Sequence, residues 1–297
     1  MANRKRQAAG LGWLVPLLVL AVLAYSQLGR GGRQTAATAS ASVAAASLRM
    51  DFIDVGQGDS ILLSSGGKYL LVDAGENSEG DEVVEFLRDR GVERLEAVVG
   101  THPDSDHIGG LDTVLDAFPA DSVYMPGITA NTETYEDVLD AVDAQNLTIT
   151  VPAVGDTITL GEATFTVLWP PQDAEGLDDN NSSIVLRAVA DGHSALLIGD
   201  LAKEGEEGIL SSSANVDSDV LKVGHHGSAG SSTAAFLQAV SPQVCVISVG
   251  ADNSYGHPAQ SAMQRLLNVC DDIRRTDRDG TVTVTFAEGE VGVQNSK

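Results

Sequence analysis

The chain has 297 residues, enough for one large domain or two ordinary ones, and its 43% hydrophobic content excludes wholesale disorder. Residues 1–48 hold five Lys/Arg and no Asp/Glu, which leaves 13 basic and 42 acidic residues, a net of −29, in 49–297. Such a domain repels polyanions at long range unless bound metal or a local basic patch reverses the field, an objection that any nucleic-acid reading must answer.

Residues 1–10 form a basic tail, and residues 11–28, "LGWLVPLLVLAVLAYSQL", are an uncharged apolar run of 18 residues. That length suits a signal anchor that spans the membrane or the core of a cleaved signal peptide. Arg4, Lys5 and Arg6 favour a cytoplasmic N-terminus, which places the following domain on the outer face of the cytoplasmic membrane, or secretes it after cleavage. Residues 29–48, rich in Ala, Ser and Thr, read as a linker. The domain proper is 49–297.

From residue 49, "MDFIDV", "SILLSS" and "KYLLVDA" are short apolar segments parted by glycine-bearing turns, a meander of strands. "GDEVVEFLRDRG" repeats apolar residues at helical spacing and stops on Gly91. "LEAVVGTH" is a buried strand, and "GGLDTVLDAF" a helix. Further on, "TITLGEATFTVLWP", "SSIVLRAVA" and "SALLIGD" read as strands, "SSTAAFLQAV" and "AQSAMQRLLNV" as helices, and "TVTVTF" as the closing strand. The pattern implies mixed sheets with helices on their outer faces. "DVGQGDS" contains Gly-x-Gly, but a strand follows it and the third glycine is missing, so it reads as a tight turn and not as a dinucleotide loop. The two cysteines, Cys245 and Cys270, lack metal-cluster spacing and read as unpaired.

Five of the six histidines lie in three compact segments, "THPDSDHIGG", "GHHGS" and "NSYGHP", each directly after an apolar strand. His193, between two strands, is an ordinary turn histidine. Asp73 and Asp200 also close apolar strands, where a carboxylate is costly unless a cation or several donors satisfy it. His102, Asp104, Asp106, His107, Asp200 and one of His225 and His226 make an inventory suited to two divalent ions sharing a bridging aspartate. Mixed imidazole and carboxylate ligands suit Zn²⁺, Mn²⁺ or Fe²⁺. Helix capping by "PDSD" explains Asp104 or Asp106 alone, but not the repetition at four strand ends.

These residues carry a resemblance. "THPDSDHIGG" resembles the second motif of the metallo-β-lactamase superfamily, His-x-His-x-Asp-His. "FIDVGQGDS", "LLVDAG", "NNSSIVL", "LLIGD", "LKVGHHGS", "ISVG", the Asn253-x-Tyr-Gly-His-Pro segment and "RTDRDG", in order, extend it to the hydrolase domain of competence protein ComEC and its free-standing relatives. The resemblance implies an αββα sandwich of α/β (α+β) class, with the metals at one edge of two packed sheets.

The chain departs from the superfamily pattern at Asp104, where a histidine is usual, and at Asn181, where a third ligand histidine is expected. The first metal site would hold His102, Asp104 and Asp200. The second would hold Asp106, His107, Asp200 and a histidine of "HHGS", and is expected to be the tighter. Oxygen-rich ligation shifts preference from tight Zn²⁺ binding toward Mn²⁺.

The expected chemistry is hydrolysis by metal-activated water, oriented by Asp106, with His257 or the spare "HHGS" histidine protonating the leaving oxygen. Asp73 and Asn181 are expected behind the ligands, and Ser228, Tyr255 and Arg275 at the substrate. The resemblance implies phosphodiester cleavage, with DNA as the expected substrate; a separate channel protein is a candidate partner that the sequence itself does not indicate. Lys203, Lys222, Arg274, Arg275 and Arg278 are the candidates for a local basic patch. Two alternatives stand beside this: a small-molecule or cell-envelope phosphodiesterase, such as a phosphocholine esterase, and a non-catalytic, metal-stabilised surface binding domain.

Overall fold

The computed structural model describes residues 46–172 and 176–297, and residues 46–297 form one unit. The basic tail, the apolar run at 11–28 and nearly all of the linker lie outside the described residues. Among the described residues, no helix is long and apolar enough to cross a membrane.

The first half runs Leu48–Phe52 (β1), Ser60–Ser65 (β2), Lys68–Ala74 (β3), Gly80–Asp89 (α1), Ala97–Val99 (β4), Ser105–Ile108 (α2), Leu111–Ala117 (α3), Val123–Tyr124 (β5), Glu133–Ala144 (α4) and Ile149–Thr150 (β6). Then come Thr157–Leu160 (β7), Ala163–Trp169 (β8), Val185–Ala190 (β9), His193–Leu197 (β10), Lys203–Ser211 (α5), Val220–Lys222 (β11) and Ala234–Val240 (α6). Val244–Ile247 (β12), Gln260–Leu266 (α7), Asp272–Arg275 (β13), Thr276–Asp279 (α8), Val282–Ala287 (β14) and Glu290–Asn295 (β15) complete the chain.

The strands form two sheets, ordered β15-β14-β1-β2-β3-β4-β5-β6 and β13-β12-β11-β10-β9-β8-β7. Alternate side chains explain the layering, because successive residues of a strand face opposite sides. Met50, Phe52, Ile61, Leu63, Leu70 and Val72 meet Phe165, Val167, Leu186, Ala195 and Val220 between the sheets. Their neighbours Leu62, Leu71 and Val98 point outward onto Val83, Leu87, Leu111 and Val114 of α1 and α3. On the other sheet Leu196, Leu221 and Cys245 point outward onto Phe236, Leu237 and Leu266 of α6 and α7. Both sheets are therefore buried on both faces, and the result is the expected four-layer αββα sandwich. Cys245 and Cys270 are buried and unlinked.

One topological feature positions the site. β3 pairs parallel with β4, and β10, β11, β12 and β13 pair parallel in turn. Parallel pairing brings the carboxyl ends of these strands to a common rim of each sheet, the place where open α/β sheets put their ligands. Asp73, the segment from Thr101, Asp200 and the "GHHG" turn all sit at such ends.

The structure adds to the expected elements. "TVTVTF" is not the last strand, because β15 folds back on β14. The acidic α4 is also new: Tyr135, Val138, Ala141 and Val142 form its buried stripe, and the Thr132 side chain accepts from the Tyr135 amide at 3.2 Å. Two of the four stripe residues are small or half polar, so the helical period was faint in the sequence.

Candidate metal centre

The crowded segment 101–110 is built around a helix start. The Asp104 carbonyl accepts the His107 and Ile108 amides, both at 3.0 Å, while its side chain makes no capping bond. Capping therefore does not account for the Asp104 carboxylate. The short α2 then projects Asp106 and His107 together, and the His102 and His107 rings lie tilted at 52° with their centroids 4.1 Å apart.

Asp106, His107, Asp200 and His226 bring ligand atoms within 4.8 Å of one another. His107 Nε2 lies 3.2 Å from Asp200 Oδ1 and 3.3 Å from His226 Nε2. His226 Nε2 lies 3.2 Å from Asp106 Oδ2 and 3.3 Å from Asp200 Oδ2. The other ring nitrogens fix the tautomers: His107 Nδ1 donates to Asp73 Oδ2 at 2.8 Å, and His226 Nδ1 to the Ser248 carbonyl at 2.9 Å. Both Nε2 lone pairs then converge on one point between carboxylates, an arrangement that a cation satisfies.

His225 Nε2 stands 3.6 Å from Asp200 Oδ2, the same oxygen that faces His226. His102 Nε2 is buried without a hydrogen-bond partner, 3.5 Å from Asp104 Oδ2, and Asp200 Oδ1 is likewise unpartnered. Native interiors rarely leave such atoms orphaned. The donor set and its orphans fit divalent ions.

A second group of ligand atoms, on Asp59, Asp73 and His107, is equally close-set. It lies behind the first and is already rich in protons. Lys222 Nζ pairs with Asp59 Oδ2 at 2.7 Å, and Asp73 accepts the Thr101 amide and hydroxyl, each at 2.7 Å. Asp73 thus orients His107.

Electrostatics follow from this packing. Burial pushes the Asp200 carboxyl up, but His226 and His107 outweigh it and hold Asp200 well below the usual range. Asp106 is held low by the same two rings against the cost of its burial. Burial alone would discharge His107 and His226; Asp200 and Asp73 keep His107 well above the usual imidazole value, and Asp200, Asp106 and Asp59 push His226 up to about 10. The carboxylates hold positive charge where the ring nitrogens meet. His225 and His257 are instead held below the usual value, chiefly by burial.

The backbone pays for this geometry with strain. His225 and His226 both adopt left-handed conformations, φ 48° and 52°, which cost side-chain-bearing residues about 1–3 kcal/mol each. Gly227 and Gly58 allow two close approaches. A Cβ on Gly227 would strike Pro258 at 2.6 Å, and one on Gly58 would collide with the Asp106 carbonyl. The "GQGDS" turn therefore underlies Asp106, and the Asp59 amide donates to the same carbonyl at 3.0 Å.

The mouth of the site is lined by Gln57, Asp104, Asp106, Asp200, His225, His226, Tyr255 and His257. Asn181 stands behind the ligands: its Oδ1 accepts the Ala202 and Gly205 amides at 3.3 and 3.0 Å, pinning the chain just after Asp200. Two residues expected at the substrate lie outside the lining. Ser228 does not line the mouth, and its hydroxyl accepts the Gly230 amide at 3.3 Å. Arg275 is also absent from the mouth because Asp277 holds its guanidinium at 2.6 Å.

The expected basic patch does not form there either. Lys222 is fully buried, Arg274 pairs with Asp272 at 2.5 Å, Lys203 faces Glu207 at 3.7 Å, and Arg278 is exposed away from the lining. Sequence reasoning missed Asp59, and it missed Ser183, whose hydroxyl accepts the Asp200 amide at 3.1 Å and lies 3.4 Å from His102 Nδ1. A lysine inside the apolar "VLKVG" run was the available sign of a buried anion.

A model of the metallo-beta-lactamase superfamily matches residues 53–250. ComE operon protein 3 of Bacillus subtilis (strain 168) is 34% identical over 255 residues, covering 80% of this chain and 33% of that protein. Competence protein ComA of Neisseria gonorrhoeae is 33% identical, covering 81% of this chain and 33% of that protein. Recombination protein 2 of Haemophilus influenzae is 30% identical, covering 84% of this chain and 30% of that protein. The chain spans about a third of the length of these relatives. Among solved structures, CmlA, a diiron beta-hydroxylase from Streptomyces venezuelae, shares the fold with a TM-score of 0.53 at 13% identity, over 81% of this chain and 54% of that one. Clustered acidic and imidazole ligands on this scaffold make the domain a metal-dependent hydrolase. The chain belongs to the metallo-β-lactamase superfamily.

Proposed function

We propose that the chain is a ComEC-like phosphodiesterase that cleaves DNA outside the cytoplasmic membrane, with residues 11–28 as its anchor or signal peptide. The observation that carries this reading is the placement of Asp200. Its Oδ1 lies 3.2 Å from His107 Nε2, and its Oδ2 3.3 Å from His226 and 3.6 Å from His225. Beside this group the His102 ring lies 4.1 Å from that of His107 and leaves its Nε2 buried and without a partner, which supports a second ion sharing Asp200, a two-ion clamp suited to in-line displacement at phosphorus. The names of the relatives, competence and recombination proteins, support DNA as the substrate.

Asp106, His107, Asp200 and His226 would hold one ion, and His102, Asp104 and Asp200 the weaker one, as Mn²⁺ or Zn²⁺. When bound, such ions polarise a phosphoryl oxygen and acidify a water. Asp106, the most exposed of the four-residue group, would orient a water at the mouth and take up its proton on the carboxylate. His257 and His225 stand at the mouth as proton donors to the leaving oxygen, and their lowered pKa values make each a strong acid once charged.

A second reading, a small-molecule or cell-envelope phosphodiesterase, is favoured by the lack of any Lys or Arg in the lining of the mouth. Protein stripped of metal and given back Mn²⁺ or Zn²⁺ decides between them. Single-stranded DNA and bis-p-nitrophenyl phosphate are expected to be cleaved, p-nitrophenyl phosphorylcholine weakly and a chromogenic lactam not at all. Preference for the phosphorylcholine ester would favour the second reading, and cleavage confined to the lactam would overturn both.

A further inference from the structure

We propose that Tyr255, backed by His257, is a stacking platform for the nucleobase beside the scissile phosphate, and that the chain holds a single strand by this aromatic face and not by a cationic groove. The inference rests on the phosphodiesterase reading and adds to it how the strand is recognised.

Tyr255 is the one exposed aromatic side chain among the described residues, at 68% relative exposure, and it lines the mouth of the metal centre. Its ring lies nearly parallel to that of His257, 5.7 Å between centroids at 21°. The His257 ring meets His225 edge-on at 5.6 Å, and His225 Nε2 lies 3.6 Å from Asp200 Oδ2. A line of rings thus runs from solvent to the shared carboxylate.

The platform is fixed from both sides. Asn253 Nδ2 donates to the Gly250 and His257 carbonyls, each at 2.8 Å, and its Oδ1 accepts the His257 amide at 2.9 Å. The Ala259 amide donates to the Gly227 carbonyl at 2.9 Å, tying the loop to the "HHG" turn. A braced loop presents the ring from a fixed backbone, which lowers the cost of ordering it on binding.

Charge cannot do the same work. The lining holds three aspartates and no Lys or Arg, and the candidate cations are buried, paired or remote. Bases offer a π-face whatever their sequence, and in a duplex that face is already covered. Stacking on Tyr255 therefore selects an unpaired base, and the ions at Asp200 take the neighbouring phosphate.

The test uses the full chain loaded with Mn²⁺ and a DNA hexamer carrying 2-aminopurine and phosphorothioate linkages. Binding should quench the fluorophore, and the same label inside a duplex should give no binding quench. Tyr255→Ala should weaken hexamer binding about tenfold or more, while Tyr255→Phe stays within about twofold. Affinity for inorganic phosphate should be equal in all three proteins. Hexamer binding by Tyr255→Ala as tight as wild type would overturn the platform, as would a loss in Tyr255→Phe equal to that in Tyr255→Ala. A parallel fall in phosphate affinity would also overturn it, since the ring would then act on the metal centre. If wild type cuts an unmodified hexamer and Tyr255→Ala binds normally, only the platform fails. Should wild type leave that hexamer uncut, the DNA-cleaving reading itself fails.

Discussion

Lys222 Nζ lies 2.7 Å from Asp59 Oδ2 with neither side chain reaching solvent, an ion pair set directly behind the imidazoles of His107 and His226. Asp59 Oδ1 is 3.6 Å from His226 Nδ1, and Oδ2 is 4.0 Å from His107 Nδ1. Removing one partner strands the other charge in a medium that cannot solvate it. Lys222→Met is expected to cost about 3–5 kcal/mol in urea unfolding, and the double variant Asp59→Asn with Lys222→Met distinctly less. A single variant within about 1 kcal/mol of wild type would show that Asp59 finds its compensation elsewhere.

Asp73 acts on the centre through His107. Its Oδ2 accepts Nδ1 at 2.8 Å, which aims Nε2 at Asp200 and raises its basicity, so that a bound cation would take the place of the Nε2 proton. Asp73→Asn keeps the shape but loses the charge, and an amide that turns its nitrogen to the ring favours the wrong tautomer. Affinity for Mn²⁺ or Zn²⁺, measured by competition with a chromogenic chelator, should fall about 10–100-fold. Unchanged affinity would remove Asp73 from the machinery.

The two histidines of "GHHG" are adjacent in sequence and unlike in space. His226 is fully buried among Asp106, His107 and Asp200, whereas His225 is 28% exposed and approaches only Asp200. His226→Ala should therefore lose the tightly held ion, counted by elemental analysis after dialysis. His225→Ala should retain it and turn over more slowly. The opposite pattern would reverse their roles.

That distinction marks where the sequence stopped being legible. Asp73, Asp200 and the segment 101–107 could be found because a charge at the end of an apolar run is conspicuous, β2 and β3 because they are short apolar runs between glycine-bearing turns, and α1 because its helical period is clean. Which of His225 and His226 turns inward depends on two successive left-handed backbone conformations, for which neither residue has a preference to read. The basic patch failed for a related reason. Arg274 and Arg275 each find an aspartate two residues away, and Lys222 faces Asp59, 163 positions earlier in the chain. The pairing of Lys222 with Asp59 follows from the packing of one sheet on the other, which no local pattern encodes.

Asp51 ties β1 to the rest of its sheet and to the end of α1, and it gives the fold a pH dependence separate from that of the metal centre. Its carboxylate is buried, yet accepts Arg49 Nε at 2.7 Å, Arg90 Nε at 3.3 Å and the Thr283 hydroxyl. Burial pushes its pKa up, but the hydrogen bonds from Arg49 and Thr283 and the charge of Arg49 outweigh that and leave it below 3.8. A folded value below the unfolded one means that the charged form favours folding. The contribution is complete above the unfolded value and drains away as pH falls through the lowered folded one. Asp51→Asn is expected to be less stable than wild type by about 1–3 kcal/mol at pH 7, with the gap closing below about pH 4. Urea midpoints of metal-free protein at pH 7, 5 and 3 measure it. A gap that stays constant down to pH 3 would mean that the carboxylate contributes through shape alone and not through its charge.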